Sequence, residues 1–392
     1  MLTWVVVIAW ISPIVYLLFV LSGEVAVYLR KKKFFSKSGL RDEELIIYQI
    51  PTIGNYETVN KIFDLTKKYN LPKKIEYWVI VENYDQHKED YDCDRLIVVP
   101  EDFCCGTLYK ARALEYARKT RLGMVERGEL PDNYMVIQGD DDSLPSKPFL
   151  MEALRINADV ILGNISPRPI GFWNTVLDYE RCIGCVFFCN VFTNTSKPVW
   201  GHGEGVVFSS KVDRTITYDI IGDHVTASQF LAEDMLYLHR AAAEYPRIYN
   251  SKKPVYITPP QGIEDAIKQR RRWTWGHIAI LKQNYLPLSN RIRILAADFL
   301  GIWIFLAAML GVPLFHLGLL TVPGYLYPVL VMNLFLWLGL RGYSVWQLMG
   351  WKHAIFAVLT SYITVTLNFL VHIIGLLQGE PNKFEVIRKT LE

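Results

Sequence analysis

Three stretches of the sequence carry no Asp, Glu, Lys or Arg: Leu2–Gly23, Phe299–Leu340 and His353–Gly379. A bilayer span takes about 20 predominantly apolar residues, and each stretch reaches that length. This argues against an entirely soluble protein. All 42 Lys and Arg and all 39 Asp and Glu fall in the remainder, which therefore has the charge content of a folded soluble domain. A strong excess of one sign is also lacking. A balance of +3 leaves no electrostatic footprint for nucleic acid. Low-complexity tracts and internal repeats are absent, which excludes disordered and fibrous classes. Cysteine is sparse: Cys93, Cys104, Cys105, Cys182, Cys185 and Cys189. The last three lie in the apolar run Cys-Ile-Gly-Cys-Val-Phe-Phe-Cys, but no second Cys-x-x-Cys or His pair accompanies them. Reduced thiols are expected there, and a zinc site is not.

The flanks of the apolar stretches indicate orientation. A signal peptide carries its positive charge before the apolar run, whereas here Arg30, Lys31, Lys32 and Lys33 follow it. The positive-inside rule then predicts a retained anchor over 1–29 with the chain from 30 onward in the cytoplasm. Phe299–Leu340 is too long for one span, and Pro323-Gly324 near its middle predicts two helices joined by a tight turn. His353–Gly379 supplies a further span. One plus three spans would put the C-terminus outside, yet Lys383, Arg388 and Lys389 favour the inside, so one stretch is re-entrant or split.

Residues 34 to about 290 alternate between short β-rich runs and helical stretches. Strands are predicted at 44–50, ending at Pro51, and at 75–81, 95–99 and 134–138, with helices at 56–69 and 107–121. This alternation predicts an α/β fold around a mostly parallel, Rossmann-like sheet. Ligands of such sheets bind beyond the carboxyl ends of the strands, the rim where Pro51, Glu82 and Asp140 fall.

Four motifs carry candidate chemistry. Asp140-Asp141-Asp142 follows a strand, and Asp140 and Asp142 have the spacing to share one hard divalent ion bridging phosphates; an isolated acidic turn is the competing reading. Ala232-Glu233-Asp234 precedes a helix at 235–244, where a carboxylate would act as general base or as an ordinary N-cap. Gln269-Arg270-Arg271-Arg272-Trp273-Thr274-Trp275 suits a membrane-interface helix. Its arginines also suit a leaving diphosphate, and its indole a sugar ring. Trp200-Gly201-His202-Gly203-Glu204-Gly205 reads as a turn that lets the backbone approach a ligand closely, with no ligand role predicted for His202.

These pieces occur in one order: Pro51-Thr52, Glu82, Lys110-Ala-Arg112-Ala-Leu114, Asp140-x-Asp142, Glu233-Asp234 and Gln269-x-x-Arg272-Trp273, flanked by membrane helices. The set resembles the membrane-bound family 2 glycosyltransferases, the group of cellulose, chitin and hyaluronan synthases. Two departures stand out, Glu82 in place of the usual first Asp and Ala232 before Glu-Asp. Within the group, Gly106 to Tyr116, Ala232 to Asp234, Gln269 to Trp273 and Lys383-Phe384 are similar to the egghead-type β-1,4-mannosyltransferases.

The resemblance implies a GT-A catalytic domain over 30–260, an interface helix over 261–292, C-terminal spans over 293–379 and a basic tail over 380–392. It implies GDP-mannose as donor, Mn2+ or Mg2+ as cofactor, and a lipid-linked, glucose-terminated acceptor receiving one sugar by inversion. The protein would be a multi-pass membrane protein with its catalytic domain in the cytoplasm. Pro51, Thr52 and Glu82 would hold the base and ribose. Lys110, Asp140 and Asp142 with the metal would hold the diphosphate, assisted by Gln269, Arg271 and Arg272. Asp234 would be the base, and Trp273, Gly203 and Glu233 would contact the acceptor. Two alternatives compete: a processive UDP-sugar synthase, and a membrane scaffold with a degenerate transferase domain. Transport is disfavoured because the apolar stretches hold no ionisable group except His316, His353 and His372.

Overall fold

The structure is a computed structural model. It describes residues 39–381, apart from 196, 220–231, 284–285, 296, 298–313, 320 and 322, together with residues 14, 17–18, 21–25, 28–29 and 34–35. Most of the first apolar stretch, residues 299–313 of the second and most of the basic tail therefore lie outside the described residues.

Eight strands form one sheet in the order β3-β2-β1-β4-β7-β6-β8-β5. They are β1 (Leu45–Pro51), β2 (Ile75–Glu82), β3 (Arg95–Val99), β4 (Tyr134–Gln138), β5 (Ser143–Pro145), β6 (Val160–Pro167), β7 (Val206–Ser209) and β8 (Ile248–Ile257). β1, β4 and β6 are buried along their whole length, as expected of strands covered on both faces. The cover is helical. α1 (Tyr56–Lys67) and α3 (Lys147–Ala153) pack on one side, where Val59, Ile62, Phe63, Phe149 and Leu150 meet Ile46, Tyr48 and Val79. α2 (Tyr109–Glu126) covers the other with Leu114 and Ala117 against Ile47 and Ile80.

The sheet corrects the expectation of a mostly parallel one. β3, β2, β1 and β4 are mutually parallel, but β7 runs antiparallel to both β4 and β6, and β5 antiparallel to β8. Gly205 enters β7 at φ +71°, and its N–H donates to Gln138 O at 2.9 Å. A glycine is needed at that left-handed angle, and the chain leaves it doubling back along β4.

Beyond β6, α4 (Phe172–Ile183) continues through a π-helical turn, Gly184–Cys189, into α5 (Asn190–Thr195). α6 (Ser210–Thr215) follows β7, and α7 spans Glu233–Glu244. The expected interface helix over 261–292 is two helices, α8 (Ile263–Leu281) and α9 (Leu288–Leu295).

Pro323 precedes the predicted break, a 3-10 turn at Gly324–Leu326, and α10 then runs Tyr327–Met349. Gly324–Met349 is long and apolar enough to cross a membrane. In the last stretch, α11 (Trp351–Leu359) and α12 (Ser361–Leu377) meet at a bend of 73°. Phe335, Trp346, Trp351, Leu359, Ile363 and Leu377 on these helices are exposed.

Candidate active site

The motif residues converge at the carboxyl rim of the parallel half. After β4, Gly139 N–H donates to Gln49 O (3.0 Å), and Ser143 closes a turn by donating its N–H to Asp140 O (3.0 Å). This turn splits the acidic triplet. Asp141 faces β1, its Oδ2 accepting from Thr52 Oγ1 at 2.8 Å. Asp140 meets Lys110, while Asp142 is buried. Thr52, read as a nucleotide contact, here orients the middle aspartate. Pro51 is buried as the last residue of β1. Glu82 ends β2 in an ion pair with Arg112, whose Nη2 also donates to Pro100 O at 2.6 Å.

Lys110, in the first turn of α2, binds two motifs together. Its ammonium contacts Asp140 and, at 2.9 Å, Glu233 Oε1. Burial alone would lower its pKa, but Asp140, Glu233 and Asp234 hold it well above the ordinary value. Glu233 and Asp234 are the first two residues of α7, after Ala232 as N-cap, so the N-cap reading of Asp234 does not hold. Asp234 Oδ1 accepts from Met235 N–H at 2.8 Å.

Burial, then the neighbouring Glu233, pushes the Asp234 carboxyl up to about 6 against the pull of Lys110. Burial likewise pushes Asp140 up to about 7, opposed by Lys110 and reinforced by Glu204 and Asp142. Three carboxyl groups, Asp140, Glu233 and Asp234, thus act on one lysine, and Glu204 and Asp142 act in turn on Asp140. Such an excess of hard oxygen donors suits a divalent cation held by Asp140 and Asp142.

The glycine turn forms the floor between the carboxylates. A Cβ on Gly203 would lie 2.9 Å from Lys110 Nζ, 3.3 Å from Asp140 Oδ1 and 3.5 Å from Asp234 Oδ2. One on Gly201 would lie 2.5 Å from Met235 Cα. The alternating glycines therefore press the turn against the start of α7, so the close approach is to a helix of the same chain, whereas the sequence reading had it facing a ligand.

Arg181, Glu204 and Arg270, which the sequence reading gave no role of their own, stand beside this cleft. Arg181 Nη2 donates to Glu204 Oε1 (2.9 Å), and its guanidinium lies 5.0 Å from the Trp273 ring. Arg270 is buried, donates to Asp178 Oδ1 (3.1 Å) and Gln269 Oε1 (2.9 Å), and lies 4.5 Å from the same ring. Trp273 thus carries two cations against its ring, and Gln269 is engaged with its neighbour. Arg271 departs most from the sequence reading. Its guanidinium donates to Gly379 O (2.7 Å), Gln378 O (3.3 Å) and Glu380 O (3.2 Å), at the end of α12. Arg272 is half-buried on the same helix. Glu204 stands in the glycine motif and was within reach of sequence reasoning. Arg181 lies in an unremarkable helix and sends no such signal.

Beta-1,4-mannosyltransferase egh of Drosophila melanogaster is 20% identical over 334 residues, covering 78% of this chain and 68% of that protein. The solved structure of mannosyltransferase PcManGT from Pyrobaculum calidifontis, in complex with GDP-Man and Mn2+, aligns with a TM-score of 0.53 at 14% identity. The alignment covers 97% of this chain and 100% of that one. The shared fold is GT-A-like, built on the mixed sheet. A family model described as glycosyl transferase family group 2 matches residues 135–371, from β4 and its acidic turn through most of α12. The chain is therefore a glycosyltransferase and belongs to glycosyl transferase family group 2.

Proposed function

We propose that this glycosyltransferase moves mannose from GDP-mannose to a hydroxyl of a lipid-linked, glucose-terminated acceptor, forming a β-1,4 linkage by inversion. The observation that carries the reading is the meeting of Lys110, Asp140, Glu233 and Asp234 around Gly203. The donor follows from the likeness to the fly mannosyltransferase and to a fold solved with GDP-Man. The acceptor follows from the egghead-type resemblance.

Asp140 and Asp142 would hold Mn2+ or Mg2+. Once bound, that ion supplies Lewis-acid neutralisation of the diphosphate. Lys110 reaches the same point from α2 and screens the charge of the leaving group. Thr52 holds Asp141 through its hydroxyl, and Arg112 holds Glu82 at the rim. Asp234 takes the proton of the attacking hydroxyl. A carboxyl at about 6 is stronger as a base than an ordinary aspartate yet ionised at neutral pH, the compromise that general-base catalysis favours. An oxygen attacking C1 from the face opposite the diphosphate turns an α donor into a β product.

We read the protein as a multi-pass membrane enzyme with a cytoplasmic catalytic domain. Support comes from the apolar helix Gly324–Met349, the bent pair after it, and the charges that follow the first apolar stretch.

The test is a donor screen on detergent-purified protein: GDP-mannose against UDP-glucose and UDP-N-acetylglucosamine, reading released nucleoside diphosphate with a glucosyl lipid as acceptor. GDP release limited to GDP-mannose is expected. Turnover with a UDP-sugar alone would sink the donor assignment, and a long polymer as product would favour a processive synthase.

A further inference from the structure

Outside the carboxylate cleft, the described residues contain one cluster of soft ligands. Cys185 and Cys189 lie on the π-helical turn between α4 and α5, and His202 comes from the glycine turn. Their ligand atoms lie within 4.8 Å of one another. His202 Nε2 is 3.5 Å from Cys185 Sγ and 3.0 Å from Cys189 Sγ. Both cysteines are buried, at 1% and 0% exposure.

Three features favour a metal over a chance meeting of thiols. First, zinc takes sulfur at about 2.3 Å and imidazole nitrogen at about 2.0 Å in tetrahedral geometry, so a sulfur and a nitrogen sharing one ion stand about 3.5 Å apart. One observed pair has that spacing and the other is within about half an ångström of it. Second, Cys185 Sγ accepts from Ile165 N–H at 3.3 Å. Hydrogen bonds of this kind orient metal-bound ligands and temper their charge. Third, the helix widens to π geometry over these residues. Such bulges concentrate at functional sites.

We propose that Cys185, Cys189 and His202 bind one thiophilic d10 ion, zinc(II) or copper(I), which ties the π turn to the glycine turn one residue before Gly203. Soft thiolate ligands select these two ions over the hard cation of the carboxylate cleft. Cys182 is not a ligand, since its Sγ faces Met349 Sδ at 3.9 Å. The ion is separate from the sugar chemistry. Its role is to fix the loop whose backbone passes between Lys110 and Asp234.

The experiment is elemental analysis of the full chain, purified in reducing detergent buffer and washed with EDTA to strip loosely held hard cations. About one equivalent of zinc or copper per chain is expected, released stoichiometrically when a mercurial blocks the thiols. Elemental analysis itself decides between the two ions. Cys189→Ser should lose that equivalent, while Cys93→Ser and Cys104→Ser should keep it. If Cys189→Ser does not fold, the parent protein still decides. Less than about 0.1 equivalent, together with no uptake of either ion on titration of the reduced protein, would overturn the proposal. A Cys185–Cys189 disulfide in a peptide map would do the same. Metal content is read without any sugar donor, so its outcome is independent of the GDP-mannose assignment.

Discussion

At the scale of single residues, the cleft is a contest between burial and charge. Asp234 is lifted to about 6, first by burial and then by Glu233, while Lys110 pulls it down. Transfer by a base of this kind rises with pH through about 6 and then levels, because only the ionised carboxylate accepts the proton. A rate profile from pH 5 to 8 at saturating metal checks this. Asp234→Asn should cost about 10²–10⁴-fold in kcat while nucleotide binding by calorimetry changes little. Near-normal turnover would remove Asp234 from the role.

Gly203→Ala makes a different test. Its methyl would fall 2.9 Å from Lys110 Nζ, so the lysine must move away from Asp140 and Glu233. Transfer is expected to fall at least about tenfold while the fold survives, since the obstacle is the end of a flexible side chain. Circular dichroism beside the activity assay separates the two effects.

The motif residues were legible because their types announce hard-metal and proton chemistry. Arg181 and Arg270 were not, because a guanidinium's partner across the fold leaves no trace in local sequence. Arg271 was misread for the same reason. Two adjacent arginines of one helix look alike until Gly379 and Asp178 are seen to claim one each.

At the scale of elements, one buried network locks α2 to the sheet. Arg121, fully buried, donates Nε and Nη2 to Asp213 Oδ2 and Oδ1, both at 2.7 Å, and also reaches Gln49 on β1. Tyr134 on β4 donates to Asp213 Oδ2 at 2.7 Å. Because Lys110 lies in the first turn of α2, this network sets where that lysine points. Asp213→Ala would strand a buried guanidinium, which typically costs about 3–5 kcal/mol. A lowered unfolding midpoint in denaturant, with loss of activity only in proportion to unfolding, is the expected result.

The strands of the parallel half were readable, to within a residue, from runs of buried β-branched residues. The antiparallel half was not. Its direction depends on which strand lies beside β4, and strand pairing across the sheet has no signature in hydrophobic period. The helix of the QxxRW motif was extended too far for a related reason. A basic, aromatic stretch continues past Leu281 in composition while the backbone breaks before Leu288.

At the scale of the whole molecule, the cleft draws on the stability of the fold. Asp140 and Asp234 have pKa values raised above the ordinary range of about 4. Their contribution to stability is therefore present in acid and is lost as pH rises through about 6 for Asp234 and about 7 for Asp140, with the sign fixed by proton linkage. A divalent cation offsets that loss only where the carboxylates are ionised. The rise in Tm on adding Mn2+ should be larger at pH 7.5 than at pH 5.5, as measured by differential scanning fluorimetry. An equal rise at both would show that the ion is bound elsewhere.

The joint between α8 and α12 has a mechanical consequence. A Cβ on Gly375 would lie 3.0 Å from the Arg271 backbone, and Arg271 itself clasps the three carbonyls that end α12. Two rods pressed together without a spacer and pinned at one end have no play, so a tilt of α12 is transmitted to the helix bearing Trp273. On the proposed membrane seating, the thickness of the surrounding lipid becomes a gear ratio for the enzyme. Acyl chains of different length would retune turnover without touching a single sugar-binding group.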